Sequence, residues 1–300
     1  MKKERIPAKN LFSAYVEMTK PRISILVLVT AYLGYYLGLR SIGSVGLDWQ
    51  NIQLLFHLLL GTYLSSSGAA VLNQYIERDY DRMMERTRHR PLPSGIIKPH
   101  QALIFGLSLS ISGVLYLITF TNLATGILSL TTIIFYTLIY TPSKRLTVWN
   151  TMIGSVPGAL PPVGGWVAVT GILAAPAWIL FGILFCWQIP HFLSIAIMYA
   201  KDYEKGGFKM LPTVYPDTGH TRYHILFFSI AMAGTSIGLF LIDFVGIVYA
   251  VGTAVISVAF LIMVIHNIPF NTRKRALTLM FSSIIYLPAL LFMIFLDVML

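Results

Sequence analysis

The sequence contains a single cysteine, few acidic residues and little charge of either sign. Its one cysteine, Cys186, excludes an internal disulfide and a cysteine-based metal cluster. Charged residues make up 11% of the 300 residues, whereas soluble domains carry roughly 25%, and hydrophobic residues make up 56%. Because a chain this apolar cannot cover itself with polar surface, a soluble globular protein is excluded and a membrane protein is expected.

Nine apolar stretches are long enough to cross a bilayer, which takes about 20 mostly apolar residues. The fifth contains prolines and glycines throughout, so we expect a bent helix packed against other helices or a cavity. The expected fold is therefore all-α: one polytopic membrane domain over residues 1–300, with nine transmembrane helices enclosing a central cavity. The stretches lie near residues 23–40, 53–76, 101–120, 122–140, 149–168, 177–199, 224–242, 244–266 and 276–296.

The basic residues all lie on one side of this arrangement, except Arg40. Lysine and arginine number 22 against 12 aspartate and glutamate residues. The positive-inside rule therefore predicts a cytoplasmic N-terminus and an outer C-terminus in the cell (inner or plasma) membrane. Because topology and contact with anionic membrane lipid account for the excess charge, nucleic acid is not an expected partner.

The first 22 residues are polar and basic and contain no apolar core. No cleavable signal peptide is therefore expected, and residues 1–22 are interpreted as a cytoplasmic basic segment. Apolar residues recur at roughly helical spacing over 8–20, up to Pro21. This pattern predicts a short interfacial helix before the first span.

An acidic motif follows the second span. Asn73, Glu77 and Asp81 are spaced i, i+4 and i+8, which places them on one face of a helix. Three oxygen-bearing side chains suit a hard cation such as Mg²⁺, which also accepts phosphate oxygens. The alternative is a solvated helix end with ion pairs between neighbouring charges. Nearby arginines can neutralise phosphate charge, namely Arg78, Arg82, Arg86, Arg88 and Arg90.

Polar residues in and after later spans give further candidates. Lys144 and Arg145 follow the fourth span, where either diphosphate binding or the positive-inside rule explains them. His191 lies in the apolar sixth span, and an ionisable residue there is a functional hypothesis by default. The alternative for His191 is a hydrogen-bonded packing residue. No function is predicted for the remaining histidines, which are His57, His89, His100, His220, His224 and His266.

Several motifs resemble those of a known enzyme family. The string Asn73-x-x-x-Glu77-x-Asp79-x-Asp81, followed by Arg90-Pro91-Leu92, resembles the first signature of the UbiA-type intramembrane prenyltransferases. Other motifs are similar to those of its protohaem IX farnesyltransferase branch, and the resemblance covers residues 15–225. These motifs are Thr19-Lys20-Pro21-Arg22, Tyr140-Thr-Pro-Ser-Lys144-Arg145, Gly158-Ala-x-Pro161-Pro162, Trp187-Gln188-x-Pro190-His191-Phe192 and Lys201-Asp202-Tyr203.

The resemblance implies a reaction and a set of roles. Farnesyl passes from farnesyl diphosphate to the vinyl group of haem b, and water addition then gives haem O and diphosphate. Asn73, Glu77 and Asp81 would hold Mg²⁺ on the diphosphate, while Lys144 would stabilise its departure. His191 would ligate the haem iron, act as a base or position water. The residues implied in substrate binding are Arg78, Arg82, Arg86, Arg90, Arg145, Asp202 and Lys205.

One departure from the wider family concerns the segment after the sixth span. Other members carry two carboxylates four residues apart there, but Met198 stands four residues before Asp202. A second Mg²⁺ site made of carboxylates alone is therefore not expected. By family resemblance alone, haem A synthase or a terminal-oxidase assembly would receive the product.

Two alternative functions remain at this point. The first is prenyl transfer to another acceptor, such as a quinone precursor, against which the His191 segment and Met198 argue. The second is a transporter or haem carrier without catalysis. Polar residues in transporters concentrate near the membrane midplane, whereas here they concentrate at one face, which favours an enzyme.

Overall fold

The computed structural model describes residues 10–44, 46, 48–216, 219–270 and 272–299. The described residues form helices and connecting loops, with no β-strand among them. Nine helical segments there are long and apolar enough to cross a membrane, which confirms the all-α polytopic fold. Residues 1–9, which belong to the expected basic segment, lie outside the described residues.

The nine spans comprise eleven numbered helices and a π-helical segment. Seven spans are single helices, and the fourth and fifth are each built from shorter pieces. The helices are α2 (Pro21–Ser41), α3 (Trp49–Asp81), α4 (Pro99–Phe120), α5 (Leu123–Ile134) leading into α6 (Thr141–Leu146), α7 (Asn150–Ala159) with α8 (Pro161–Thr170), α9 (Ala175–Met198), α12 (His220–Leu241), α13 (Ile247–Asn267) and α14 (Arg273–Met299).

The irregular fourth and fifth spans lie beside the acidic helix. A π-helical turn, Phe135–Tyr140, joins α5 to α6, and such turns occur frequently at functional sites. In the fifth span the helix is interrupted at Leu160, and α8 begins at Pro161. At this first helical position the N–H that proline lacks would have had no partner within the helix. The bent helix expected in this span is therefore confirmed.

Helix α3 is the central element and extends beyond the predicted stretch. It runs for 33 residues, Trp49–Asp81, so the acidic motif continues the membrane helix without a break. It packs closely on α4, where a Cβ added at Gly68 would collide with Ser110. Absence of a side chain at this position therefore allows the two backbones to approach each other.

Short helices occupy the basic side of the bundle. Helix α1 (Leu11–Met18) exposes Phe12 and buries Met18, and Gln74 Nε2 donates to the Met18 carbonyl at 2.7 Å. The helix predicted before the first span is thus present, and this contact attaches it to α3. After α9 follow α10 (Ala200–Lys205) and α11 (Leu211–Val214).

Candidate active site

Asn73, Glu77 and Asp81 form a buried polar face on the last turns of α3. Their exposed fractions are 1%, 5% and 1%, respectively. The alternative of a solvated helix end is therefore wrong for these three residues. Because burial of a carboxylate is costly unless it is paired, their partners decide what the face can do.

Each of the three side chains contacts a different basic residue. Lys20 Nζ donates to Asn73 Oδ1 at 2.9 Å, and Lys144 Nζ donates to Glu77 Oε1 at 2.7 Å. Arg90 folds back along the chain and donates from Nη1 to Asp81 Oδ2 at 2.7 Å. Three cations from three separate segments therefore surround one face of α3; we call these six residues the polar cluster.

Lys20 is a member of the polar cluster that charge and spacing alone did not single out. It lies directly before Pro21 with φ of 49°, a left-handed conformation that is uncommon outside glycine. Burial, together with the nearby Arg90 guanidinium, lowers the pKa of Lys20 to about 7, and an anion bound beside the amine would favour its charged form. The only available signal was its place in the Thr19-Lys20-Pro21-Arg22 motif.

The oxygens of the polar cluster fit a hard cation. Asp81 Oδ1 is buried without a hydrogen-bond partner, and Asn73 is fixed by donating from Nδ2 to Thr141 Oγ1 at 3.0 Å. An amide oxygen and two carboxylates on one helix face could hold Mg²⁺, with phosphate oxygens and water completing its octahedron. No group of three histidine, cysteine or acidic residues suited to a metal occurs among the described residues.

Arg78 and Arg82 do not join the polar cluster. Each follows a cluster carboxylate by one residue, and adjacent residues do not share a helix face. They flank the exposed Asp79, with N–O distances of 3.6 Å and 3.8 Å. The exposed, ion-paired helix surface considered as an alternative is therefore present, but it consists of Arg78, Asp79 and Arg82 and does not include Glu77 or Asp81.

The arginine-rich turn after α3 is held by Asp202. Its carboxylate accepts the backbone N–H groups of Glu85 at 3.3 Å and Arg86 at 3.2 Å. The Arg86 guanidinium lies over the Tyr199 ring, 5.2 Å from its centroid. Asp202 thus contacts the backbone of this turn, which the sequence did not indicate, while Lys205 is exposed on α10 outside the polar cluster.

Arg145 and His191 also lie outside the polar cluster. The Arg145 guanidinium sits over the Tyr80 ring and donates to the Tyr80 hydroxyl. His191 Nδ1 is 2.9 Å from Ser283 Oγ on α14, and its ring stacks on Trp187. The contacts of His191 therefore agree with the hydrogen-bonded packing residue considered above.

A small cavity lies beside α3, further along the helix from the polar cluster. It has a volume of about 60 Å³ and is lined by α3 residues that include Leu58, Thr62 and Ala69. Ala69 precedes Asn73 by four residues, so the cavity wall and the polar cluster share one face of α3. Polar and apolar surfaces therefore follow one another along this face of α3.

The described residues thus form a bundle of helices long and apolar enough to cross a membrane, with buried carboxylates on the same face of α3 as an apolar cavity. Residues 27–287 match the UbiA prenyltransferase family. The chain belongs to this family, and relatives similar to it over nearly its full length carry the name protoheme IX farnesyltransferase.

These relatives and several solved structures give the extent of the likeness. The Solibacter usitatus protein is 41% identical, covering 94% of this chain and 98% of the relative. The Opitutus terrae protein is 39% identical over 97% of both chains. A digeranylgeranylglyceryl phosphate synthase structure aligns with a TM-score of 0.78 at 19% identity, covering 96% of this chain and 98% of the other.

A second solved structure shares the fold. A UbiA homologue from Archaeoglobus fulgidus, bound to GPP and Mg²⁺, aligns with a TM-score of 0.68 at 15% identity. The alignment covers 94% of this chain and 99% of that protein. Both structural likenesses show a common fold with this chain.

Proposed function

We propose that this protein transfers the farnesyl group of farnesyl diphosphate to a vinyl group of haem b. Water adds to the alkylated vinyl group, and the products are haem O and diphosphate. The protoheme IX farnesyltransferase relatives support this reaction through their high identity and coverage. The observation that carries the proposal is the buried polar cluster, in which two carboxylates and an amide face three cations.

The polar cluster binds the diphosphate through Mg²⁺. Asn73, Glu77 and Asp81 hold the metal. The structure of the Archaeoglobus fulgidus homologue bound to GPP and Mg²⁺ supports Mg²⁺ as the ion. When bound, Mg²⁺ supplies positive charge where negative charge develops on the leaving group. Lys144 and Arg90 each contact a ligand oxygen at 2.7 Å. Both can therefore turn to phosphate oxygens without moving far.

The basic residues lower the barrier to C–O cleavage. Negative charge grows on the diphosphate as the allylic cation forms, so fixed cations aimed at it stabilise the transition state. Lys144, Arg90 and Lys20 provide this stabilisation within a buried site, where it is stronger than in water. Arg86, Arg145 and Lys205 line the approach on the basic side of the membrane and attract the charged head.

The farnesyl chain extends from the polar cluster along α3. The face that carries Asn73 continues through Ala69 and Thr62 to Leu58, next to the cavity of about 60 Å³. The path must exclude water, because water would react with the farnesyl cation before the vinyl group of haem could. This placement leaves the reacting carbon at the upper end of the cavity, directly beneath the diphosphate.

A bulky residue in the cavity wall tests this path. Thr62→Phe, further along α3 from the polar cluster, is expected to lower kcat/KM for farnesyl diphosphate by at least about tenfold, because the ring fills space that the far end of the chain needs. Geranyl diphosphate, which is shorter by one prenyl unit, should lose less. The measurement compares the two substrates in the same variant. An equal loss for both would show that the chain takes another route.

The whole chain forms a single membrane-embedded domain under this proposal. It lies in the cell membrane with its N-terminus and polar cluster on the cytoplasmic side, because the basic loops flank that end of the spans. Haem A synthase or terminal-oxidase assembly would consume the product. In this proposal His191 acts as a base or positions the water that adds to the vinyl group, and Ser283 holds its Nδ1 at 2.9 Å.

Product analysis tests the proposal directly. Purified protein in lipid nanodiscs receives haem b, farnesyl diphosphate and Mg²⁺, and mass spectrometry detects haem heavier by one farnesyl group and one water. The expected product disappears with EDTA and returns when Mg²⁺ is restored. Diphosphate release with unchanged haem would identify another acceptor. Haem binding with neither event would favour a non-catalytic haem carrier.

A further inference from the structure

A second and larger cavity lies on the basic side of the bundle, away from the cavity along α3. It has a volume of about 260 Å³ and opens between α7, α9, α11 and α12. Ile189, Leu193 and Leu211 give it apolar walls, while Trp149, His220 and His224 add nitrogen-bearing rings. Apolar walls with a few convergent polar groups are typical of small-molecule sites.

The Nδ1 atom of His224 is held by a backbone carbonyl. Its Nδ1 is 2.7 Å from the carbonyl oxygen of His220, one turn earlier on α12. Because a carbonyl only accepts, Nδ1 carries the proton and Nε2 of the neutral ring has a free lone pair. Histidines that bind metals usually donate their other N–H to a carbonyl or carboxylate in this manner.

One partly exposed aromatic ring packs against each of these two histidines. The Trp149 ring packs edge-on against His224, with 5.6 Å between centroids. The Tyr215 ring lies 5.2 Å from that of His220. A flat apolar ligand with a metal at its centre matches flat rings, aliphatic walls and one directed imidazole. A hydrated inorganic ion, in contrast, would gain nothing from the aliphatic walls.

The cavity adjoins the polar cluster through the segment that carries Lys144. The backbone N–H of Lys209 donates to the Lys144 carbonyl at 2.7 Å. Asn150 Nδ2 donates to the Lys209 carbonyl at 2.7 Å. Because Trp149 directly precedes Asn150 and Leu211 follows Lys209 by two residues, one hydrogen-bonded unit supports both the cavity wall and Lys144.

We propose that this cavity seats haem b, with His224 Nε2 as an axial ligand of its iron. The inference rests on the proposed function, because that function supplies haem as the acceptor. It assigns a role to His224 that the sequence did not indicate, and it places iron ligation there rather than at His191. Seated here, the porphyrin lies beside the segment that positions Lys144 at the diphosphate.

Spectral titration of the full-length protein in nanodiscs with ferric haem b tests the assignment. The wild-type protein is expected to show a Soret shift and an electron paramagnetic resonance signal of histidine ligation. His224→Ala should raise the Kd for haem at least about tenfold and remove that signal. Added imidazole should restore the signal in His224→Gly, which has room for it. His266→Ala, at the inner end of α13, is the matched control and should bind haem as the wild type does.

Three results would overturn the inference. His224→Ala could bind haem with wild-type Kd and spectrum, His191→Ala alone could remove the ligation signal, or His266→Ala could match His224→Ala. Thermal unfolding and Mg²⁺-dependent binding of farnesyl diphosphate, measured on each variant, show that the fold and polar cluster are intact. If the wild type binds haem through His224 but never prenylates it, the proposed function fails while this site stands.

Discussion

Asp81→Asn is expected to reduce prenyl transfer by about 100-fold or more. The substitution keeps the size of the side chain but removes a buried carboxylate that would bind the metal and that pairs with Arg90 at 2.7 Å. Removing one group that stabilises transition-state charge costs about 10²–10³ in kcat. The measurement is kcat for haem O formation at saturating Mg²⁺, with the KM for farnesyl diphosphate determined in parallel.

Asp79→Asn is the matched control for this substitution. It makes the same chemical change on the same helix only two residues away. Asp79 is exposed and contacts Arg78 and Arg82 rather than the polar cluster. The kcat of the Asp79→Asn variant should stay within about twofold of wild type, because exposed ion pairs contribute little. Comparable losses of kcat in both variants would show that the total negative charge at the end of α3 matters, and not the position of the Asp81 carboxylate.

Lys144→Met is expected to impair both stability and activity. Lys144 Nζ and Glu77 Oε1 lie 2.7 Å apart in a largely buried pair. Removing one partner of a buried pair leaves the other uncompensated, which typically costs about 3–5 kcal/mol of unfolding free energy. Thermal unfolding in nanodiscs measures the stability, and the same preparations give kcat. Transfer should fall at least about 100-fold, because the diphosphate loses a directed cation.

A second substitution separates the two effects of losing Lys144. In the double variant Lys144→Met with Glu77→Gln, no buried charge remains unpaired, so most of the lost stability should return. Activity should not return, because one metal ligand and one cation are both gone. Arg145→Gln is the stability control, since Arg145 contacts Tyr80 at the surface. Recovery of activity in the double variant would contradict a role for this pair in the reaction.

The fold and the buried polar face of α3 could be predicted from the sequence because both depend on local periodicity. Hydrophobic length identifies a membrane span without any knowledge of its neighbours. The spacing of Asn73, Glu77 and Asp81 identifies one helix face, provided that the helix continues through them. It does continue, since Asp81 is the last residue of α3. The same reasoning could have placed Arg78 and Arg82 on a different face.

The pairing of the basic residues with this face could not be predicted from spacing, because it depends on contacts between separate segments, although the family resemblance did point to Lys144 and Arg90. Lys20 lies 53 residues from its partner Asn73, and Lys144 lies 67 residues from Glu77. No periodicity relates such positions. Asp202 contacts backbone N–H groups, which every residue except proline carries. No pattern of residue types could therefore identify its partner. The role proposed for His224 depends on the cavity that it lines, and no sequence pattern indicates that cavity.

The length of α3 determines where the chemistry takes place. At about 1.5 Å per residue, its 33 residues extend about 50 Å, well beyond a hydrocarbon core of about 30 Å. With the apolar residues of α3 in the hydrocarbon core, the carboxylates on its final turns lie at the level of the lipid headgroups, while the cavity wall lies among the acyl chains. Under the proposed function, the diphosphate would therefore reach the polar cluster and leave it at this interface, so its charge need not enter the hydrocarbon core, where charge is costly.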